Sequence, residues 1–211
     1  MCSNSGLHIS EDLKWKEHLL GSEQSLVRQL TSRTNGLIKV SARAPFPTRL
    51  MVANGIFMSK LCYLIQLWGG AEKYLIKSLQ VLQNRAARAV TRQSWFTATR
   101  TLLKQCNWLS VHQLIFYQTV LTTHKIVLSG TPLYLSKKMS TEHPYKTRQA
   151  TEGGIRFGEN FEGKTGLTHN SFCYIGANQY NKIPASIRSA KTMQTFKYKL
   201  KKWISSNIPI D

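Results

Sequence analysis

The apolar residues of segment 72–92 recur at helical spacing, and this segment constrains the fold more than any other part of the chain. At 100° per residue, five apolar residues form one stripe: Leu75, Leu79, Leu82, Ala86 and Ala89. The basic residues fall on the side away from it: Lys73, Lys77, Arg85, Arg88 and Arg92. Because such a helix must pack its apolar face against other elements, the segment predicts a mainly α-helical, bundle-like fold.

Two segments nearer the N-terminus also have helical signals. Residues 22–35 predict a helix that ends at Gly36. Residues 48–68 form the most hydrophobic window, and Lys60 lies near its middle. Because a central lysine costs about 2.5–3.5 kcal/mol in a bilayer, this window predicts a buried core helix and not a membrane span. The first nine residues are polar and predict a loose N-terminus.

Two helices are indicated nearer the C-terminus. Ser110 and Gln113 match a capping box, which predicts a helix that runs to about Leu128. Ser189 or Thr192 can cap a last amphipathic helix that ends near residue 206. The segment between these helices is loop-rich and predicts a few short strands, for example in the sequence SFCYIGA. The predicted organisation is a loose segment over 1–9, a helical domain over 10–130 and a basic tail region over 131–211.

Acidic residues are scarce and unevenly placed. The 211 residues include 29 Lys and Arg but only 10 Asp and Glu, and the formal net charge is +19. Three stretches without any acid hold 24 of the 29 basic residues: 24–71, 73–141 and 163–210. A surface built from these stretches is positive, so it attracts polyanions, above all nucleic acid.

The same scarcity argues against a catalytic metal site. The only aspartates are Asp12 and Asp211, whereas two-metal polymerases and nucleases need clustered carboxylates. The four cysteines show no CxxC spacing, and no GxSxG or HExxH motif occurs. We therefore expect no enzymatic activity, no metal and no cofactor.

One motif favours an alternative, a nucleotide-binding enzyme. The sequence GENFEGKT matches a phosphate-binding loop at four positions: Gly158, Gly163, Lys164 and Thr165. However, no buried strand precedes it, Gly166 follows where a helix must start, and Glu159 and Glu162 would repel phosphate. We therefore interpret this segment as a surface loop.

The basic residues of the amphipathic helix are the stronger candidates for a binding site. Four of them fall within about 80° on an ideal wheel: Lys77, Arg85, Arg88 and Arg92. Arginine forks match the geometry of phosphate. The last helix adds four lysines: Lys197, Lys199, Lys201 and Lys202. The alternatives are a solvated face or a helical interaction module whose charge only keeps it in solution.

Several stretches, taken in order, resemble one family. They are SKLCYLIQLWGG over 59–70, SLQVLQNRAARAVT over 78–91, the segment 107–135 that begins NWLSVHQLIF, and the segment 179–204 that begins QYNKIPASIR. Together they resemble the C-terminal region of reverse transcriptases from jockey-like, non-LTR (LINE-type) retrotransposons. The Leu-Gln-x-x-Gln-Asn-Arg-Ala-Ala-Arg run is the most distinctive part of the resemblance.

The resemblance implies a helical thumb followed by a basic tail, which in that family follow the palm domain and hold RNA and DNA. The family's catalytic aromatic-x-Asp-Asp turn is absent from this chain. The resemblance therefore implies a catalytically empty fragment that begins after the palm, with RNA or DNA and an upstream palm domain as partners. It adds Gln83, Arg85 and Arg88 as binding residues, because they lie in the matching run.

No signal peptide opens the sequence, and Cys62 and Cys106 lie in apolar contexts that favour reduced thiols. We therefore expect an intracellular protein, nuclear or cytoplasmic, that is neither secreted nor bound to a membrane.

The lack of clustered aspartates leads to a first testable prediction. A primer-extension assay with a primed RNA template and Mg²⁺ is expected to give no product above the protein-free blank, because no pair of carboxylates is available to hold two metal ions. Template-dependent extension by the purified chain would contradict this prediction.

Overall fold

The chain is mainly α-helical in a computed structural model that describes residues 2–4, 6–9, 14–140, 153–157 and 171–210. The predicted fold class is thus confirmed. The residues divide into two compact units, one formed by Met1–Leu114 with Ile210–Asp211 and the other by Ile115–Pro209. The division falls within a helix, whereas the sequence suggested a boundary near residue 130.

Among its described residues, the first unit contains a hairpin, six helices and the start of a seventh. Their bounds are β1 Cys2–Asn4, β2 Leu7–Ile9, α1 Leu26–Ser41, α2 Phe46–Ala53, α3 Ser59–Leu61, α4 Ile65–Trp68, α5 Lys73–Thr91 and α6 Thr99–Cys106. Two π-helical turns, Glu17–Gly21 and Asn54–Met58, complete it. Helix α7, Val111–Ser129, crosses the division.

The described part of the second unit continues with short elements and ends in a 15-residue helix. Their bounds are α8 Leu133–Ser136, β3 Met139–Ser140, β4 Arg156–Phe157, α9 Phe172–Asn181, α10 Ala185–Arg188 and α11 Met193–Asn207. Strands β3 and β4 pair antiparallel, as β1 and β2 do in the first unit.

Helix α5 buries the face that its sequence predicted. Leu75, Leu79, Leu82 and Ala86 lie in the core. Ala89 is only half-buried, and Ala87 and Val90 are buried instead. The buried face of the last two turns is therefore rotated slightly from the ideal wheel, since α5 packs against α1, α2 and α6 together.

The helix near residue 30 is longer than predicted. Helix α1 begins at Leu26 and continues through Gly36 to Ser41. Leu37, directly after the glycine, is fully buried, and this burial carries the helix past the expected end. A glycine weakens a helix interior by only about 1 kcal/mol relative to alanine, which one buried leucine offsets.

The hydrophobic window 48–68 is buried as predicted, but it is not one continuous helix. Phe57, Leu61, Ile65 and Trp68 are all fully buried. The backbone changes from α to π and back, and then turns at Leu64, which has a left-handed φ of 50°. The four buried side chains recur at the spacing i, i+4, i+8 and i+11 of one helix face, and all four lie in the core despite the breaks.

Two other expectations about local structure were wrong. The N-terminus, expected to be loose, forms the β1–β2 hairpin, in which Leu7 is buried and the His8 N–H lies 3.4 Å from Nδ1 of His18. The sequence SFCYIGA, expected to form a strand, lies in and directly before α9. The Ser171 hydroxyl caps that helix by accepting from the Tyr174 N–H.

The two predicted helix starts nearer the C-terminus are confirmed. The Ser110 hydroxyl accepts from the Gln113 N–H (3.3 Å), and the Gln113 side chain accepts from the Ser110 N–H (3.1 Å), as a capping box requires. At the start of α11, the Thr192 hydroxyl accepts from the Thr195 N–H at 3.2 Å. Capping signals are local, which explains why the sequence located both starts correctly.

The second unit has an aromatic core around His124. Its ring lies parallel to that of Phe196, with centroids 3.6 Å apart, and its Nδ1 is 3.0 Å from the Tyr180 hydroxyl. Helix α9 approaches α7 closely at Gly176, where an added Cβ would lie 2.5 Å from the Thr123 hydroxyl oxygen. Burial lowers the pKa of His124 below its ordinary value.

The described cysteines are not paired in disulfides. Cys62, Cys106 and Cys173 are free thiols, and burial raises the pKa of Cys62 and of Cys106 to about 11. Within the described ranges, none of the helices combines the length and the apolar character that crossing a bilayer requires.

His18 makes the stability of the first unit depend on pH. Burial, with the charges of His8 and Lys60, lowers the pKa of His18 to about 4 from an ordinary value of 6.5. Below pH 6.5 the unfolded chain binds more protons than the folded one, so the free energy of unfolding falls as the pH drops from 6.5 to 4. The full loss corresponds to about 3 kcal/mol.

Urea unfolding between pH 4 and pH 7.5, followed by circular dichroism, tests this dependence. The variant His18→Gln should lose less stability over that range than the parent chain. His112→Gln, at an exposed position on α7, serves as the control and should follow the parent. Identical pH profiles for all three proteins would contradict the prediction.

Candidate nucleic-acid interface

The structure divides the predicted basic residues of segment 73–92 into three groups. Lys73, Lys77 and Arg85 are exposed. Arg88 is half-buried, and Arg92 lies just past the helix end in the left-handed region, with φ 56°. Because Arg92 lies outside the helix, the spacing of 100° per residue does not describe the direction of its side chain.

Gln83 belongs to the core, so its assignment as a nucleic-acid contact was wrong. Its side chain is fully buried. Its Nε2 donates to the carbonyl of Leu109 (2.9 Å) and lies 3.9 Å from the sulfur of Met58, and its Oε1 accepts from Gln80 (3.0 Å). A buried amide needs such partners because its unsatisfied burial is costly.

The neighbouring amides extend this network. The Gln80 side chain accepts from the Val111 N–H (2.8 Å) and donates to Asn84 (2.8 Å). Asn84 in turn donates to the Thr99 hydroxyl at 3.0 Å. The amides of the Leu-Gln-x-x-Gln-Asn run therefore tie α5 to the first residue of α6 and to the start of α7. In the folded chain this part of the run has a structural role.

Arg92 caps the C-terminal end of α1. Its Nε donates to the carbonyl of Ser41 at 3.1 Å, and its Nη2 donates to Ser41 and to the carbonyl of Ala42 at 2.9 Å. The last carbonyls of a helix have no partners within it, and they carry the negative end of its dipole. A guanidinium group fits both requirements, since it is cationic and has several donors.

Arg49 does the same for α5 from a buried position. Its Nε donates to the carbonyl of Val90 (2.7 Å), and its Nη1 donates to that of Ala44 (2.8 Å). Burial, followed by the charge of Arg92, lowers the pKa of Arg49. Arg49 and Arg92 thus join the ends of α1 and α5 to the beginning of α2.

Arg88 contacts the loop that follows α5. Its Nη2 donates to the carbonyl of Trp95 at 3.1 Å, and its guanidinium carbon lies 4.7 Å from the centroid of the Trp95 ring. The free basic stripe predicted over residues 77–92 is therefore reduced to Lys77 and Arg85.

A wider basic face replaces that stripe, because α1 lies beside α5. Arg85 donates to the side chain of Asn35 (3.0 Å), and Arg92 reaches Ser41. These pairs are 50 and 51 residues apart, so the two helices run parallel in a constant register. In that register the turn of Lys77 is level with the turn of Arg28, and Lys77 points about 80° away from Arg85 around the α5 axis.

An open groove of about 570 Å³ runs along the surface of α1. Its lining consists of polar, cationic or small residues: Arg28, Thr31, Ser32, Asn35, Gly36 and Lys39. An added Cβ at Gly36 would meet no atom within 4 Å, so a ligand backbone can approach closely there. We call the exposed cations Arg28, Lys39, Lys77 and Arg85 the α1–α5 basic face.

Arg28 and Lys39 were not identified from the sequence as candidate binding residues, although their spacing indicated a shared helix face. Residues 28, 32, 35 and 39 follow the spacing i, i+4, i+7 and i+11, which places them on one helix face. The expected helix end at Gly36 hid this pattern, since it removed Lys39 from the helix.

The face can bind an anionic backbone. Its cations attract phosphate, and the hydroxyl of Ser32 and the amide of Asn35 are exposed beside them. Both helices lie within segments that contain no acid. The charges of the face are therefore not opposed by any carboxylate of α1 or α5.

The lysines of α11 are arranged differently. Lys197, Lys199 and Lys202 are exposed, and Lys201 is half-buried. At 100° per residue they lie on both sides of the outward-facing Tyr198, spread over more than half of the helix circumference. They do not form a line that one phosphate backbone could follow. Among the described residues, no group of three or more His, Cys, Asp or Glu is placed to hold a metal ion.

The phosphate-loop match at Gly158, Gly163, Lys164 and Thr165 lies outside the described residues. No protein family, curated protein or solved structure matches the chain in the comparisons with known proteins.

The different roles of two arginines lead to a stability prediction. Arg92→Gln should lower the free energy of unfolding by about 1–3 kcal/mol, because the carbonyls of Ser41 and Ala42 lose a charged donor. Arg85→Gln should change it by less than about 0.5 kcal/mol, since Arg85 is exposed and bonds one side chain. Urea denaturation of both variants measures the difference. A loss for Arg92→Gln as small as that expected for Arg85→Gln would show that the cap on α1 does not stabilise the fold.

Proposed function

We propose that this chain is a catalytically inactive nucleic-acid-binding protein that holds the phosphate backbone of RNA or DNA on its α1–α5 basic face. One observation carries the proposal. Two parallel helices from acid-free segments present four exposed cations, of which Arg28 and Lys39 line an open groove. A polyanion is the ligand that such a surface attracts most strongly.

The dimensions of the face suit several phosphates at once. Arg28 and Lys39 are eleven residues apart on α1, which is about 16 Å along the helix axis. Lys77 and Arg85 are about 12 Å apart on α5. Consecutive phosphates of one strand advance by roughly 3.4 Å in B-form DNA, so the face spans about four or five of them.

Binding through phosphate contacts discriminates little between nucleotide sequences. Contacts to phosphate position a nucleic acid, whereas base edges specify it. The exposed groups of the face are cations, a hydroxyl and an amide on a shallow surface, which do not enter a groove of the duplex. We therefore expect oligomers of scrambled sequence to bind about equally well.

The proposal includes an origin. The order of the matching stretches and the Leu-Gln-x-x-Gln-Asn-Arg-Ala-Ala-Arg run support descent from the post-palm region of a non-LTR retrotransposon reverse transcriptase. The lack of an aromatic-x-Asp-Asp turn supports a binding role without polymerase activity. In this proposal the protein works inside the cell, in the nucleus or the cytoplasm, where RNA and DNA are available.

The salt dependence of binding tests the proposal. Anisotropy of a fluorescein-labelled 20-base-pair DNA should give an affinity that falls steeply with salt, because binding releases counterions. Lys39→Gln combined with Arg85→Gln removes two phosphate contacts. It should flatten the slope of log K against log salt by about 1.5 to 2 units.

A charge-matched variant controls for the loss of net charge. Lys104→Gln combined with Lys125→Gln removes two exposed cations outside the face and should leave the slope within about 0.5 units of the parent. If both double variants flatten the slope equally, binding is not localised to the α1–α5 basic face. If the parent does not bind, the chain is better described as a helical interaction module.

A further inference from the structure

The loop between α5 and α6 exposes two neighbouring aromatic side chains. Trp95 is 71% exposed and Phe96 is 94% exposed. Phe96 has the greatest exposure of the large hydrophobic side chains in the described part of the chain. Isolated apolar residues are common on surfaces, but two adjacent aromatic rings at the tip of a loop need an explanation.

Several contacts lie within this loop or connect it to α5. Arg88 donates to the carbonyl of Trp95 (3.1 Å), and the Thr97 N–H donates to the carbonyl of Ser94 (3.1 Å). The Arg88 guanidinium also lies against the Trp95 ring. The rings are therefore presented by a built turn that is anchored to α5, and their exposure does not result from a lack of local contacts.

The surroundings of the rings are cationic. Arg88 and Arg92 lie before the loop in sequence, and Arg100 follows it on α6. The nearest acids along the chain are Glu72 and Glu142. Aromatic faces next to arginines form the combination that binds unpaired bases, because the rings stack on bases while the cations neutralise phosphates.

From this arrangement we infer that Trp95 and Phe96 form a stacking site for unpaired bases of single-stranded RNA or DNA. The inference rests on the proposed function and narrows its ligand to nucleic acid with a single-stranded part. Arg85 and Arg88 are three residues apart on α5, or about 4.5 Å along its axis. A strand on the α1–α5 basic face therefore has the rings within reach of its next bases.

The charge favours this ligand over an apolar protein surface. A protein pocket that receives the two rings would also have to accept the positive charges of Arg88 and Arg92. A nucleic acid supplies flat apolar bases and compensating phosphates in the same chain. Every base has a π-face, so the site would accept many sequences.

Two fluorescein-labelled ligands test the inference: a 12-nucleotide single strand without self-complementarity, and the 12-base-pair duplex of the same sequence. The affinity of each is measured for the parent and for the variants. Trp95→Ala combined with Phe96→Ala should weaken single-strand binding by about tenfold or more. Duplex affinity should stay within about twofold, and the salt slope should not change, because no cation is removed.

Two further variants separate stacking from simple apolar contact. Trp95→Phe combined with Phe96→Tyr keeps two rings and should retain most of the single-strand affinity. Trp95→Leu combined with Phe96→Leu keeps apolar bulk without rings and should lose as much affinity as the alanine pair. Leu133→Ala combined with Tyr134→Ala removes two similarly exposed residues of the second unit and should have no effect.

The outcomes distinguish this inference from the proposed function. Salt-dependent binding by the parent, with unchanged single-strand affinity in the alanine pair, overturns the stacking site and leaves the α1–α5 basic face intact. Equal weakening of single strand and duplex also overturns it. If the alanine pair abolishes self-association seen by sedimentation while nucleic-acid affinity is unchanged, the loop is a protein contact. A parent that binds neither ligand at low salt overturns both proposals.

Discussion

The first unit depends on arginines that bond to backbone carbonyls in a chain with very few carboxylates. Arg92 caps the end of α1, Arg49 holds the end of α5, and Arg33 donates to the carbonyl of Ile56 in the second π-helical turn (2.6 Å). Helix ends and irregular turns leave carbonyls without partners, and a guanidinium group supplies several donors together with a favourable charge. In this acid-poor sequence, these arginines thus hydrogen-bond to main-chain carbonyls.

This use of arginine divides the basic residues into two groups. Cations such as Arg49 and Arg92 donate to main-chain carbonyls, and replacing these arginines is expected to lower the free energy of unfolding. Cations such as Lys39 and Arg85 remain on the surface in segments that contain no acid. The second group is what the proposed function rests on, since these side chains are exposed and can donate directly to phosphate.

Polar amides divide in the same way. Gln83 is buried and holds the carbonyl of Leu109, whereas Asn35 is exposed and bonds Arg85 at the edge of the groove. The tryptophans differ in the same way: Trp68 is fully buried, whereas Trp95 is exposed and its ring lies against the Arg88 guanidinium. Residue type therefore does not separate structural from binding roles in this chain. Burial and hydrogen-bond partners separate them, which is why the candidate surface differs from the sequence motif.

The sequence by itself determined the features that depend on neighbouring residues. The buried face of α5, the capping box of Ser110 and Gln113 and the start of α11 at Thr192 follow from helical periodicity and from side chains within three residues of a helix end. Only the tertiary structure decided what Gln83 and Arg92 do, because their partners lie 26 and 51 residues away. It also decided that α1 continues past Gly36 and lies beside α5, since burial of Leu37 outweighs the local helix-ending signal. Periodicity defines which face of a helix is buried, but the partner helix that completes a binding surface is selected by packing across the whole unit.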